Sequence, residues 1–241
     1  MIDIEYAKYR DCFVRKGLSV DKQMIKQCFD NYKDFDDLEN AVVMDWGMNI
    51  GGFGKLMSTK PIKSYIGVEC HPENFAVATK NLENYSNYIL LNAAVTTLEV
   101  DEIDLYLTTS KQNFCSGTIN LKNNNAKGLR KIRIPVKTIN AKQIIEEYQP
   151  SHLKCDIEGE EYRIFDDLDW VIPSCVKQLA LEFHWQDKIL DYNTYQEKLL
   201  KQGFKPAYEN LNYVKGENVA SFNGNEISYR NIWGLDCLYK R

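Results

Sequence analysis

The chain has no pair of cysteines spaced as C-x-x-C, no apolar run long enough to cross a bilayer and no excess of basic residues. Each absence removes a class. Its seven cysteines (Cys12, Cys28, Cys70, Cys115, Cys155, Cys175 and Cys237) are scattered and odd in number, which reads as reduced thiols rather than a disulfide framework. The N-terminal MIDIEYAKYRD is charged and lacks the apolar core of a signal peptide. The expected location is therefore the cytoplasm, or a host cytoplasm if the abundant Lys, Asn, Ile and Tyr reflect the AT-rich coding sequence of a virus. The glycosylation sequon Asn84-Tyr85-Ser86 is then coincidental. A net charge of −4 and an isoelectric point near 5.5 supply no electrostatic footprint for nucleic acid or anionic lipid, so neither is expected as a partner.

What is present fits one α/β domain with an extra element: 241 residues, 44% hydrophobic and 27% charged. Residues 19–33 place Met24, Ile25, Cys28, Phe29 and Tyr32 on one helical stripe behind a Ser19 cap, so residues 1–40 are expected to form an N-terminal helical extension. From residue 41 to 241 the pattern alternates. Apolar strands are expected at 41–46, 64–69, 88–95, 151–157 and 177–184, with helices at 52–59, 72–84, 140–148, 160–168 and 193–202. Such interleaving predicts a doubly wound, mostly parallel sheet covered on both faces. An inserted β-element and acceptor loop are expected over about 100–137, and the C-terminal tail adds an antiparallel edge.

The first strand runs into AVVMDWGMNIGGFGKL at 41–56, a strand feeding a glycine-rich turn into a helix. Three ligands can be weighed against it. A phosphate-cradling P-loop fails at both ends, because Asn49 stands for its first glycine and Leu56 for its magnesium-binding hydroxyl. A dinucleotide turn would begin with glycine, whereas here Asp45 and Trp46 intervene. S-adenosylmethionine (SAM) fits: its ammonium can be answered by an acid at the strand end, directly or through water, and its carboxylate by the N–H groups of a Gly/Asn turn. D-x-G-x-N-x-G supplies both. Glu69 ends the next strand, where a carboxylate accepts from both ribose hydroxyls, and Asn92 and Ala93 end the third, where an adenine edge would lie.

These segments, with VECHPENFAVATKNL (68–82), NAAV (92–95), VKTI (136–139), LKCDIEGEEYRIF (153–165) and LALEFHW (179–185), resemble the FkbM-type SAM-dependent methyltransferases. Residues 1–40 and 204–241 carry no motif that aligns. The chain departs from the family pattern at Trp46 and Met48, in the expansion of Glu-Pro to Glu69-Cys70-His71-Pro72, and at Asn140, which reads as a helix cap. The resemblance implies a class I, Rossmann-like enzyme that methylates a hydroxyl on a sugar, a glycan or a glycosylated small molecule. It implies cofactor contacts at Asp45, Gly47, Asn49, Gly51, Phe53, Glu69, Cys70, Asn92, Ala93 and Asp156, with S-adenosylhomocysteine (SAH) as product. Fusion to, or association with, a glycosyltransferase is a further expectation.

Methyl transfer from a sulfonium chiefly requires that the acceptor oxygen be positioned and its proton removed. Lys154, Asp156, Glu158 and Glu161 cluster at the fourth strand end, and Glu182 and His184 share one face of the fifth. His184 or Asp156 is the expected base, with Glu158, Glu182 and Lys154 orienting the acceptor or one another. Asp156, Glu182 and His184 could alternatively ligate a divalent metal, since some sugar methyltransferases use magnesium at this corner. Ser116, Glu161 and Trp185 are expected to touch the acceptor. Two other functions stand beside this one: a methyltransferase acting on protein or nucleic acid, and a non-catalytic SAM-binding module of a larger glycan-building protein.

Overall fold

The computed structural model of the chain describes residues 4–32, 35–108, 117–119, 130–166, 171–184, 192–222 and 225–241. In chain order these form a hairpin β1 (Tyr6–Tyr9) and β2 (Cys12–Arg15), then α1 (Ser19–Asn31), β3 (Val42–Trp46), α2 (Gly52–Met57), β4 (Ser64–Val68), α3 (Pro72–Leu82) and β5 (Tyr88–Leu91). There follow β6 (Ala94–Thr96), β7 (Glu102–Thr108), β8 (Arg130–Asn140), α4 (Ala141–Tyr148), β9 (His152–Cys155), α5 (Glu161–Asp166) and β10 (Gln178–Phe183). A helix α6 (Tyr192–Lys201) and two long strands, β11 (Lys205–Phe222) and β12 (Asn225–Lys240), close the chain.

The central sheet has the order β11-β12-β10-β9-β3-β4-β5. Strands β5, β4, β3, β9 and β10 run parallel, and β12 is antiparallel to both β10 and β11. Strand order therefore reverses between β3 and β9, and the crevice at that switch point opens over the carboxyl ends of the strands. Side-chain alternation divides β3 between two cores. Met44 and Trp46 pack with Ile66, Val68 and Leu153 against Ile144, Ile145, Tyr162 and Leu199 of α4, α5 and α6. Val43 lies on the opposite face with Tyr65, Phe53, Met57 and Leu82, against which Cys28, Phe29 and Tyr32 of the predicted α1 stripe also pack, while Ile25 packs with Cys12, Val14, Ile50 and Val77. The mostly parallel sheet with an antiparallel edge is as expected.

Three local expectations are corrected. A hairpin precedes α1; its turn places Arg10 and Asp11 at φ 48° and 60°, the left-handed pair that a two-residue hairpin turn requires. Ser19 is the first residue of α1 rather than its cap, the N-cap position being Leu18 with no side-chain bond. The helix start is held instead by Asp21, which accepts from the Arg15 backbone N–H at 2.8 Å and pairs with the Arg15 guanidinium at 2.7 Å. The expected third strand, 88–95, breaks at Asn92. There the Asn92 amide donates to the carbonyls of Glu69 and Cys70 at 2.7 and 3.3 Å, and β6 leaves the sheet to pair with β8. Asn140 caps α4 as expected, accepting from the Lys142 and Gln143 N–H groups.

One glycine is dictated by packing. Gly47 has φ +79°, and a Cβ there would lie 1.8 Å from the Asp156 carbonyl oxygen. Gly47→Ala is expected to cost about 2–5 kcal/mol, combining left-handed backbone strain with overpacking. Urea denaturation would register this as a lowered midpoint, and an unchanged midpoint would refute the packing argument.

Candidate functional site

The switch-point crevice is a cleft with about 610 Å³ of open space. Gly47 and Asn49 line it from the β3 turn, Glu69, Cys70 and His71 from the end of β4, Ala93 to Val95 from the strand break, and Asp156 and Glu158 from the end of β9. Leu105, Gly117 and Ile119 of the inserted β-element form a further wall. Tyr106 and Thr118 bridge across that element, and the Thr118 hydroxyl donates to the Glu158 carbonyl at 2.6 Å. The roof is thereby tied to the acid-bearing turn. Sequence reading missed Leu105 and Ile119; the alternation in DLYL and TIN is the signal that could have found them.

Glu69 is buried, and its two carboxylate oxygens accept from the backbone N–H of Asn49 at 2.9 Å and of His71 at 2.7 Å. Burial pushes its pKa up to about 7 in spite of those bonds. His71 is fixed by the fold: as the cap of α3 its Nδ1 accepts from Glu73 N–H, and burial lowers its pKa to about 4, leaving it neutral.

Beneath the turn lies a buried ion pair. Lys154 Nζ donates to Asp45 Oδ1 at 3.0 Å and to the Gly47 carbonyl at 3.2 Å, and Tyr65 Oη donates to Asp45 Oδ2 at 2.6 Å. Burial raises the Asp45 pKa, opposed by Lys154 and by the Tyr65 hydrogen bond. Asp45 is thus engaged inside the protein and does not line the cleft. Gly51 and Phe53 do not line it either: Gly51 starts α2 at φ 86°, against Leu82, and Phe53 packs with Tyr32 and Phe35. Asn92 shapes the rim through carbonyl bonds, whereas Ala93 and Cys70 reach the cleft.

Beyond the cleft, His184 Nε2 stands 3.6 Å from Asp156, 3.8 Å from Glu158 and 3.6 Å from Glu182. Its Nδ1 shares a 3.0 Å hydrogen bond with Glu161 Oε1. Burial alone would lower the His184 pKa, but Glu158, Glu161 and Glu182 hold it well above the ordinary histidine value, so it rests as an imidazolium. Glu182 is raised well above the carboxylate range, by burial first and by Asp156 second. Glu161 is fully buried, and its oxygens also accept from the N–H of Ile157 at 2.9 Å and Gly159 at 2.6 Å. It therefore orients His184 and the turn, where Glu158 sits at φ 55°, rather than contacting an acceptor as expected. Asp156, Glu161 and His184 each bring a donor atom within 4.8 Å of the others, which suits a divalent ion, although Glu161 already engages the imidazole. Lys154 lies 3.6 Å from Asp156 and joins this cluster to the ion pair. Ser116 and Trp185 lie outside the described residues.

A parallel sheet with this strand order, and a crevice bearing a glycine turn, a buried strand-end glutamate and a knot of acids, define the class I methyltransferase architecture. Residues 45–206 match the model of the methyltransferase FkbM domain, and the chain belongs to that family of SAM-dependent enzymes. No curated protein matches the sequence. Among solved structures, TYW2 of M. jannaschii in complex with AdoMet is similar at 13% identity and TM-score 0.47, covering 99% of this chain and 86% of that one. Precorrin-6y C5,15-methyltransferase from Geobacter metallireducens is similar at 11% identity and TM-score 0.45, covering 97% and 100%. TrmK of M. capricolum in complex with SAH is similar at 8% identity and TM-score 0.44, covering 90% and 67%.

Glu69 carries a stability signature. Its folded pKa of about 7 lies above the ordinary carboxyl value of 4.5, so the folded chain binds the extra proton and that stability is lost as pH rises from 4.5 through 7. The loss is expected to reach about 3 kcal/mol at most. Urea midpoints at pH 5 and pH 8 for the wild type and Glu69→Gln would reveal it, and identical pH dependence in both would remove Glu69 as the source.

Proposed function

We propose that the chain is an O-methyltransferase that moves the SAM methyl group to a hydroxyl of a sugar, a glycan or a glycosylated small molecule. The observation that carries this reading is the junction at Asp156 and Glu158: both line the cleft, and both stand within 4 Å of the His184 imidazole outside it. The cleft suits the cofactor. A buried carboxylate faces it where ribose hydroxyls can donate, the turn offers backbone N–H groups, and Ala93, Leu105 and Ile119 make an apolar slot for a flat base.

When bound, SAM supplies an activated methyl group on a positively charged sulfur. The chain's own groups then have two tasks. Asp156, Glu158 and Glu182 surround the position that an acceptor hydroxyl would reach, and a carboxylate with a raised pKa, as at Glu182, is a competent proton acceptor for a weakly acidic hydroxyl. His184 rests protonated and so serves first to hold these like charges together, with Glu161 fixing its ring; it becomes a base only after passing its proton to a neighbouring carboxylate. Lys154 places Asp156 and neutralises Asp45. No described helix is long and apolar enough to cross a membrane.

Glu69→Ala is expected to weaken SAH binding by about 1–3 kcal/mol, by leaving donor groups unpaired. Asp156→Asn and His184→Ala are expected to leave that affinity within a few fold while lowering methyl transfer to a sugar acceptor by about 10²–10⁴. Calorimetric titration and a SAH-release assay separate the two effects, and equal loss of affinity and turnover at His184 would make it structural. Repeating the titration after EDTA treatment, with and without magnesium, tests the ion site: a tightening with metal that Asp156→Asn abolishes is the expected mark of one.

A further inference from the structure

The N-terminal hairpin and α1 precede the segment that matches the family model, yet they close on the glycine turn of the cleft. Ile50, in that turn, is held by them in two ways. Its fully buried side chain packs with Cys12 and Val14 of β2, Ile25 of α1 and Val77 of α3. Its carbonyl accepts from the Asn81 amide at 2.8 Å; the same Nδ2 donates to the Phe13 carbonyl at 3.0 Å, and Asn81 Oδ1 accepts from the Phe13 N–H at 2.6 Å. One buried side chain of α3 thereby joins β2 to the turn, with both its N–H donors and its oxygen engaged.

A second brace runs through Arg15. Its guanidinium pairs with Asp21 at 2.7 Å and stands 3.9 Å from Glu73 in the first turn of α3. His71, the cap of that helix, feels the same charge: burial first and Arg15 second lower its pKa. The two braces end on one carboxylate. Asn49, at φ 51°, donates its N–H to Glu69 Oε2, and His71 donates its N–H to Glu69 Oε1. A left-handed residue keeps that conformation where its neighbours fix it, and here the fixed neighbour is Ile50, whose N–H donates to Asn49 Oδ1 at 2.8 Å. Both N–H groups that hold Glu69 at the cleft are therefore set by segments in contact with the hairpin. Resting on the reading of Glu69 as the group that takes the ribose hydroxyls, we infer that the N-terminal hairpin is part of the cofactor site and that Asn81 is a positioning residue, setting the Glu69 carboxylate for those hydroxyls from the far side of the turn. Hairpin docking and ribose recognition are then linked, each strengthening the other.

The test is calorimetric titration of the full chain with SAH and with its 2′,3′-dideoxy analogue, for the wild type, Glu69→Ala and Asn81→Ala. The wild type is expected to prefer SAH by about tenfold or more. Glu69→Ala is expected to lose that preference, and Asn81→Ala to reduce it about fivefold or more. A role of Asn81 confined to stability would weaken both ligands alike and keep the wild-type preference, which would overturn the inference while leaving Glu69 in place. No preference in the wild type, or one unchanged in Glu69→Ala, would overturn both. Amide exchange on the wild type probes the same link without a substitution that could impair folding. With each ligand at the same multiple of its dissociation constant, global stabilisation is equal. The Phe13 N–H is then expected to exchange about fivefold or more slowly with SAH than with the analogue; equal rates would overturn the link.

Discussion

The contact on which the remainder of the site depends is the buried pair between Asp45 and Lys154. It joins the two central parallel strands through their side chains near their carboxyl ends, where the strand order reverses. Lys154 also takes the Gly47 carbonyl, so the glycine turn is pinned to β9 by the same ammonium that faces Asp156. Breaking such a pair by removing one partner typically costs about 3–5 kcal/mol, because the other charge remains buried. The Tyr65 hydroxyl completes the set by occupying the second Asp45 oxygen. Three strands thus contribute one donor or acceptor each to a single knot, and the cleft floor inherits its geometry from that knot.

Much of this was legible before any coordinates. The apolar runs at 42–46, 64–68, 152–155 and 178–183 are strands because each is short, buried and flanked by a turn. Glu69, Asp156 and Glu158 were placed on one crevice by chain order alone, since parallel strands deliver their carboxyl ends to the same side. What escaped the sequence was partnership. Asp45 reads as a free strand-end acid until Lys154, 109 residues away, is seen to neutralise it. Glu161 reads as an acceptor contact until its oxygens are found saturated by two backbone N–H groups and an imidazole. The hairpin at Tyr6–Arg15 gave no helical or strand periodicity long enough to be read, and its turn rests on a left-handed Arg, a residue with no particular turn preference.

The electrostatics of the acid cluster follow the same logic. A sequence can count four acids and a histidine, but the protonation of the histidine is set by distance and burial. With three carboxylates within 4 Å of one ring nitrogen and a fourth bonded to the other, the imidazolium is the glue that allows the acids to remain close. A site so constructed separates holding from proton removal: Glu161 and His184 do the first, and the more exposed Asp156, Glu158 and Glu182 are available for the second.

The break at Asn92 has an effect on the whole molecule. By leaving the sheet, β6 pairs with β8, β8 pairs with β7, β7 is bridged to Thr118, and Thr118 grips the turn after β9. Hydrogen bonds therefore run as a belt from one side of the switch point, over the crevice and back to the other. A belted cavity is shaped before anything enters it, so little of a ligand's binding energy goes into ordering the wall. Traffic into such a cavity passes through its open ends, because lifting the roof would unbuckle a strand from each side at once.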